Sequence, residues 1–95
     1  MSRQTLVRTK MPGPAEGVEE IWTVLTYEQE HEWWSEVLDG NRHPIVDRDD
    51  MGYETLHKAF GDTLEEARKT GLDLLIEQVK KRGGSVVQVG NVQDP

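Results

Sequence analysis

Three histidines, His31, His43 and His57, are the side chains of this sequence best suited to move a proton near neutral pH. They share no metal-ligand spacing. His31 stands beside Glu32 near a turn and His43 precedes Pro44, so both read as surface residues. His57 falls inside an expected strand and reads as packed or paired. Asp47, Asp49 and Gly52 occupy the first, third and sixth positions of an EF-hand-like loop. Met51 and Lys58 stand where the fifth and twelfth ligands belong, so the bidentate acid that calcium needs is missing. A hydrated acidic loop is the simpler reading. Ser35, a small residue on an expected strand, reads as making room for a helix rather than as a nucleophile. Gly83-Gly84 follows a helical segment, which makes it a stop signal; a phosphate loop would have to precede one. No catalytic residue, metal site or cofactor is therefore expected, and the chain does not read as an enzyme.

Two other patterns point to binding. Glu28, Glu30, Glu32, Glu36 and Asp39 form an acidic run without an intervening Lys or Arg. Such a run either solvates a sheet edge and discourages stray pairing, or docks a basic protein. Trp33 and Trp34 lie within it and Trp22 precedes it. Adjacent Trp33 and Trp34 must leave a strand on opposite faces. Ser35 would leave space for a helix, which assigns Trp33, Ser35 and Val37 to the helix side. Trp34, Glu36 and Leu38 then lie on the open side. The N-terminal arm, the 41–52 segment, a second copy of the chain (a homo-oligomer) or a different protein are the possible covers. The expected partner-binding residues are Trp34, Glu36, Leu38, Glu28, Glu30 and Glu32.

The elements that position these residues follow from periodicity. Residues 1–17 carry Pro12, Gly13, Pro14 and Gly17 and read as a flexible N-terminal arm with a short extended piece at 5–7. Residues 18–95 read as a single α+β domain. Residues 20–28, rich in β-formers, predict a first strand, and Gln29-Glu30 a tight connection. Residues 32–38 predict an antiparallel second strand, closed by Asp39-Gly40-Asn41. Residues 42–52 read as an exposed loop and 53–60 as a third strand. Leu64, Ala67, Gly71, Leu74, Leu75, Gln78 and Val79 form a helical stripe over 63–82. Asp62 or Thr63 caps it, Glu65 and Glu66 suit its positive end, and Lys80, Lys81 and Arg82 suit its negative end. Gly71 in mid-helix implies a close crossing over the sheet. Residues 85–92 predict a last strand, giving a small antiparallel sheet with one long helix on one face, in the order βββαβ.

This order, with Trp22-Thr23-Val24, Trp33-Trp34-Ser35-Glu36-Val37 followed by Asp39-Gly40, and the junction Gly61-Asp62-Thr63-Leu64-Glu65-Glu66-Ala67, resembles the HicB family of antitoxins. The resemblance runs from Ile21 to Lys81. It implies a sheet with one helix packed on one side and a HicA-like toxin as partner, a small basic ribonuclease with a double-stranded-RNA-binding type of fold. Residues 41–60 are longer than the family's third-strand region. A C-terminal DNA-binding segment after the last strand is not expected, and neither is operator binding. An orphan adaptor engaging a different basic protein fits the same pattern, as does an accessory protein whose open face forms a homodimer.

Charge agrees with a protein partner. The formal net charge is -7, and of the 11 basic residues Arg3, Arg8 and Lys10 lie in the first fourteen, leaving 8 against all 18 acidic ones. An acidic body disfavours the phosphate backbone of nucleic acid. The absence of cysteine excludes disulfides and thiolate chemistry. With no long apolar run and no apolar signal core, membrane insertion and export are not expected, and a cytoplasmic location is.

Overall fold

In the computed structural model, which describes residues 2–15 and 17–94 and at Asp47 the backbone alone, the chain is α+β. Its strands are β1 (Ser2–Met11), β2 (Val18–Gln29), β3 (Glu32–Leu38), β4 (Val46–Arg48), β5 (Glu54–Leu56), β6 (Lys58–Gly61) and β7 (Ser85–Gln93), with one helix, α1 (Leu64–Lys81), before the last. Five strands form an antiparallel sheet in the order β6-β3-β2-β1-β7. The pairings make β6 and β7 run in the same direction at opposite edges. Helix α1 carries the chain between those edges across a single face.

The helix starts where capping chemistry places it. Thr63 is extended (φ -130°, ψ 163°), and its Oγ1 accepts from the Glu66 N–H at 3.2 Å. The Glu66 carboxylate reaches back to accept from the Asp62 N–H at 3.1 Å. This reciprocal pair satisfies one donor that the first turn leaves open, the Glu66 N–H, and the Asp62 N–H just before the cap. At the far end the Gly84 N–H bonds the Val79 carbonyl at 2.9 Å, with Gly83 at φ 81°. Ala67, Gly71, Leu75, Gln78 and Val79 are the buried stripe.

That stripe packs on the inward residues of the sheet. Val7, Met11, Trp22, Val24, Val37, Ile45, Leu75 and Val79 form the core. The close crossing at Gly71 is present: a Cβ there would fall 2.7 Å from the Ser35 Cβ and 2.8 Å from Val24 Cγ1. Ser35 Oγ donates to the Ala67 carbonyl at 2.7 Å and lies 3.0 Å from Thr26 Oγ1, so its hydroxyl ties β3 to the helix.

Three expectations need correction. Of residues 1–17, expected as a flexible arm, Ser2–Met11 form β1, paired with β2 from Ser2↔Tyr27 to Met11↔Val18 and flanked on its other side by β7, while residues 1 and 16 lie outside the described residues. Thr5, Val7, Thr9 and Met11 alternate inward there and are buried. Two of the four are threonines, so hydropathy understates the period-2 signal; the Pro/Gly cluster that suggested disorder only ends the strand. The element order is consequently longer than βββαβ. Residues 41–52, expected as loop, include the bridge Leu38↔Pro44 and strand β4, which pairs with β5 in a separate two-stranded hairpin. The expected third strand 53–60 is divided at His57, whose N–H bonds the Ile45 carbonyl at 3.1 Å, so only β6 joins the main sheet.

Candidate functional site

Helix α1 covers one face of the sheet, and the registers fix which side chains remain on the other. Tyr27, Trp34 and Phe60 are cross-strand neighbours in one row over β2, β3 and β6. The next row is Leu25, Glu36 and Lys58. Beyond it stand Leu6, Thr23 and Leu38, with Thr23 buried between its two leucine neighbours. Farther on lie Arg8 and Ile21, then Lys10 and Glu19.

The aromatic row is an assembled cluster. The Trp34 and Phe60 rings meet edge to face, with centroids 5.4 Å apart and planes at 63°. Phe60 is 47% exposed, whereas Trp34 and Tyr27 are half-buried. Lys58 Nζ lies 6.0 Å from the Tyr27 ring centroid and 5.9 Å from that of Trp34, within cation–π range. Burial pushes the Tyr27 phenol above its ordinary value; its hydrogen bond with Glu36 adds to the rise, and Lys58 opposes it. Arg8 lies at the other end of the face, its Nε bonded to Glu19 Oε1 at 3.0 Å and its Nη1 to Gln88 Oε1 at 2.9 Å. Leu6, Arg8, Ile21 and Gln88 line a shallow depression of ≈ 300 Å³ there.

Of the residues expected to bind a partner, Trp34, Glu36, Leu38 and Glu32 share this open face by strand parity. Glu30 sits at the tip of the β2–β3 turn. Glu28 pairs with Trp33 and belongs to the helix side, at the exposed end of the hairpin. Trp33, Ser35 and Val37 lie on the helix side, and Trp22 is buried, its Nε1–H donating to Glu20 Oε1 at 2.9 Å beneath the Arg82 guanidinium. Sequence reasoning missed Tyr27, Lys58 and Phe60 as neighbours of Trp34. The alternation of 58–60 carries the signal for their face, but the register against β3 that brings them to Trp34 is a tertiary fact.

The residues weighed for chemistry are dispersed. His31 occupies the two-residue turn and His43 is exposed, its N–H donating to Asp39 Oδ1 at 3.0 Å. Asp49 Oδ1 accepts from the Met51 and Tyr53 N–H groups, both at 2.9 Å, so this carboxylate closes the β4–β5 turn. Among the described residues no three His, Cys, Asp or Glu side chains gather in a group able to hold a metal ion. Nor, among the described residues, is a helix long and apolar enough to cross a membrane. Comparison of the chain with family models, curated proteins and solved structures gives no match.

Proposed function

We propose that this chain is a protein-binding domain, without catalytic activity, that docks a basic protein on the open face of its sheet. The observation that carries the reading is the Tyr27–Trp34–Phe60 row, a contiguous aromatic surface on the face opposite the helix. Aromatic side chains that are partly desolvated before binding are typical interface anchors. Glu32 and Glu36 on the same face, with Glu30 at the adjoining turn, favour a partner rich in Lys and Arg. Carboxylates would pair with the partner's cations while Trp34 anchors the contact. The resemblance to HicB antitoxins supports a HicA-like toxin as that partner, and the mechanism would then be occlusion of the toxin. An orphan adaptor holding another basic protein uses the same face. A second copy on this face is less favoured, because a two-fold contact there would set Glu32 and Glu36 of one chain among those of the other.

The test mixes the full chain with a HicA-type basic protein from the same genome and follows the mixture by size exclusion. A co-eluting complex is expected, lost with Trp34→Ala and weakened by Glu36→Lys. Absence of any complex ends the antitoxin reading. A complex that tolerates Trp34→Ala, with the variant's fold checked by circular dichroism, ends the assignment of the face.

A further inference from the structure

The two edges of the main sheet are built differently. β6 has four residues, includes Lys58, and adjoins the β4–β5 hairpin. Short length and charge are common devices against edge-to-edge pairing. β7, at the opposite edge, runs for nine residues, Ser-Val-Val-Gln-Val-Gly-Asn-Val-Gln, with no charged residue and no proline. Val87 and Val89 are 52% and 41% exposed. Its hydrogen-bonding partner on one side is β1, and at the sheet's edge its other side offers backbone donors and acceptors to a further strand. Two register shifts interrupt the β1–β7 pairing, yet the strand continues through both.

We infer that β7 pairs antiparallel with β7 of a second copy, joining two five-stranded sheets about a two-fold axis. The charges at its ends select this occupant and direction. Lys80, Lys81 and Arg82 precede β7 and Asp94 follows it. Antiparallel self-pairing brings the basic start of each strand towards the acidic end of the other; a parallel arrangement would set like against like. Lys81 already pairs with Glu77 and Asp94 with Arg3 within one chain, and both pairs are exposed enough to rearrange. The strand itself adds no repulsion, and the acidic bodies lie side by side with their open faces free. This interface is independent of the partner-binding face.

Light scattering on the full chain at rising concentration tests the inference. The expected mass is twice the 10.8 kDa of one chain, falling to one chain in Val89→Lys and in Val87→Lys, while Trp34→Ala stays dimeric. Amide hydrogen exchange on the wild type gives a reading that needs no variant: protection of β7 should rise with concentration. A wild-type monomer at high micromolar concentration, β7 protection independent of concentration, or a dimer broken by Trp34→Ala and untouched by both lysine variants would each overturn it.

Discussion

Replacing Gly71 with alanine sets helix propensity against packing. In an isolated helix the change stabilises by about 1 kcal/mol, because glycine loses more backbone freedom. Here the added methyl would sit 2.7 Å from Ser35 Cβ, 2.8 Å from Val24 Cγ1 and 3.1 Å from Ser35 Oγ. Neither neighbour can swing clear, since both are fully buried in central strands. The helix must lift, stretching the 2.7 Å bond from Ser35 to the Ala67 carbonyl. Overpacking of this kind costs about 1–3 kcal/mol, and two contacts below 3 Å place it in the upper part of that range. Gly71→Ala should therefore lose about 1–2 kcal/mol net, a fall in Tm of roughly 5–15 °C for a chain of this length. Urea unfolding followed by indole fluorescence reads it directly, with an unchanged slope showing that stability alone has moved. Adding Ser35→Gly removes two of the three short contacts but also the hydroxyl's bonds to Ala67 and Thr26, so the double variant should lose less than the sum of the two single losses, a coupling read in a double-mutant cycle. A Gly71→Ala protein as stable as the wild type would refute the close crossing and the helix position with it.

Two further outcomes follow from local geometry. Glu30 and His31 form the β2–β3 turn with φ of 54° and 66°, a left-handed pair that non-glycine residues adopt at a penalty. His31→Gly should raise stability by about 1 kcal/mol in urea melts, and a loss would show that the imidazole contributes more than the strain removes. Tyr27 and Tyr53 are the two tyrosines of the chain, so Tyr53→Phe isolates the Tyr27 phenol for absorbance titration. Its midpoint should lie above the ordinary value of 10.0, fall in Glu36→Gln and rise further in Lys58→Ala. Because the folded state favours the neutral phenol, the associated stability is intact below the unfolded-chain midpoint and is lost as pH rises through the folded one. A midpoint indifferent to both substitutions would mean the cluster is not assembled.

Those parts of the fold that local chemistry dictates were legible before any coordinates. The Thr63–Glu66 cap, the Gly83-Gly84 stop, the helical stripe and the opposed faces of Trp33 and Trp34 each depend on residues within a few positions of one another. Of β1 only a short extended piece at 5–7 was legible, because its inward residues alternate threonine with valine and methionine, a pattern that hydropathy reads as neutral. Its status becomes clear only when β7 needs a neighbour: with β1 gone, β2 would be an edge and the last strand would have nothing to pair with. The 41–60 region hid its structure for a related reason. β4 and β5 are three residues each and pair only with one another, and the bend at His57 depends on the distant Ile45 carbonyl. For the open face, sequence parity placed Trp34, Glu36 and Leu38 correctly on one side. It could not supply the cross-strand register that sets Phe60 and Lys58 against Trp34, nor show that Glu28 turns away.

The registers also give the open face a direction. The aromatic row lies at the end where the β2–β3 turn carries Glu30 and β3 begins with Glu32, whereas Arg8 and Lys10 lie towards the opposite end. Near that second end the helix finishes in Lys80 and Lys81, and Gly83 approaches Pro12. If the face docks a basic protein as proposed, the carboxylates at the aromatic end would attract it more than the opposite end, where Glu19 stands between Arg8 and Lys10, and electrostatics would orient it before any ring is covered. Lys58 limits how far acidity alone can account for binding. It stands among the rings that would anchor the contact and beside Glu36, so part of the negative charge is already matched within the chain. On the proposed reading the carboxylates would govern approach and salt dependence, and the buried part of the contact would fall to Trp34 and Phe60. The complementary partner surface would then carry cations around an apolar patch, its Lys and Arg meeting Glu32 and Glu36 while the patch covers Trp34 and Phe60.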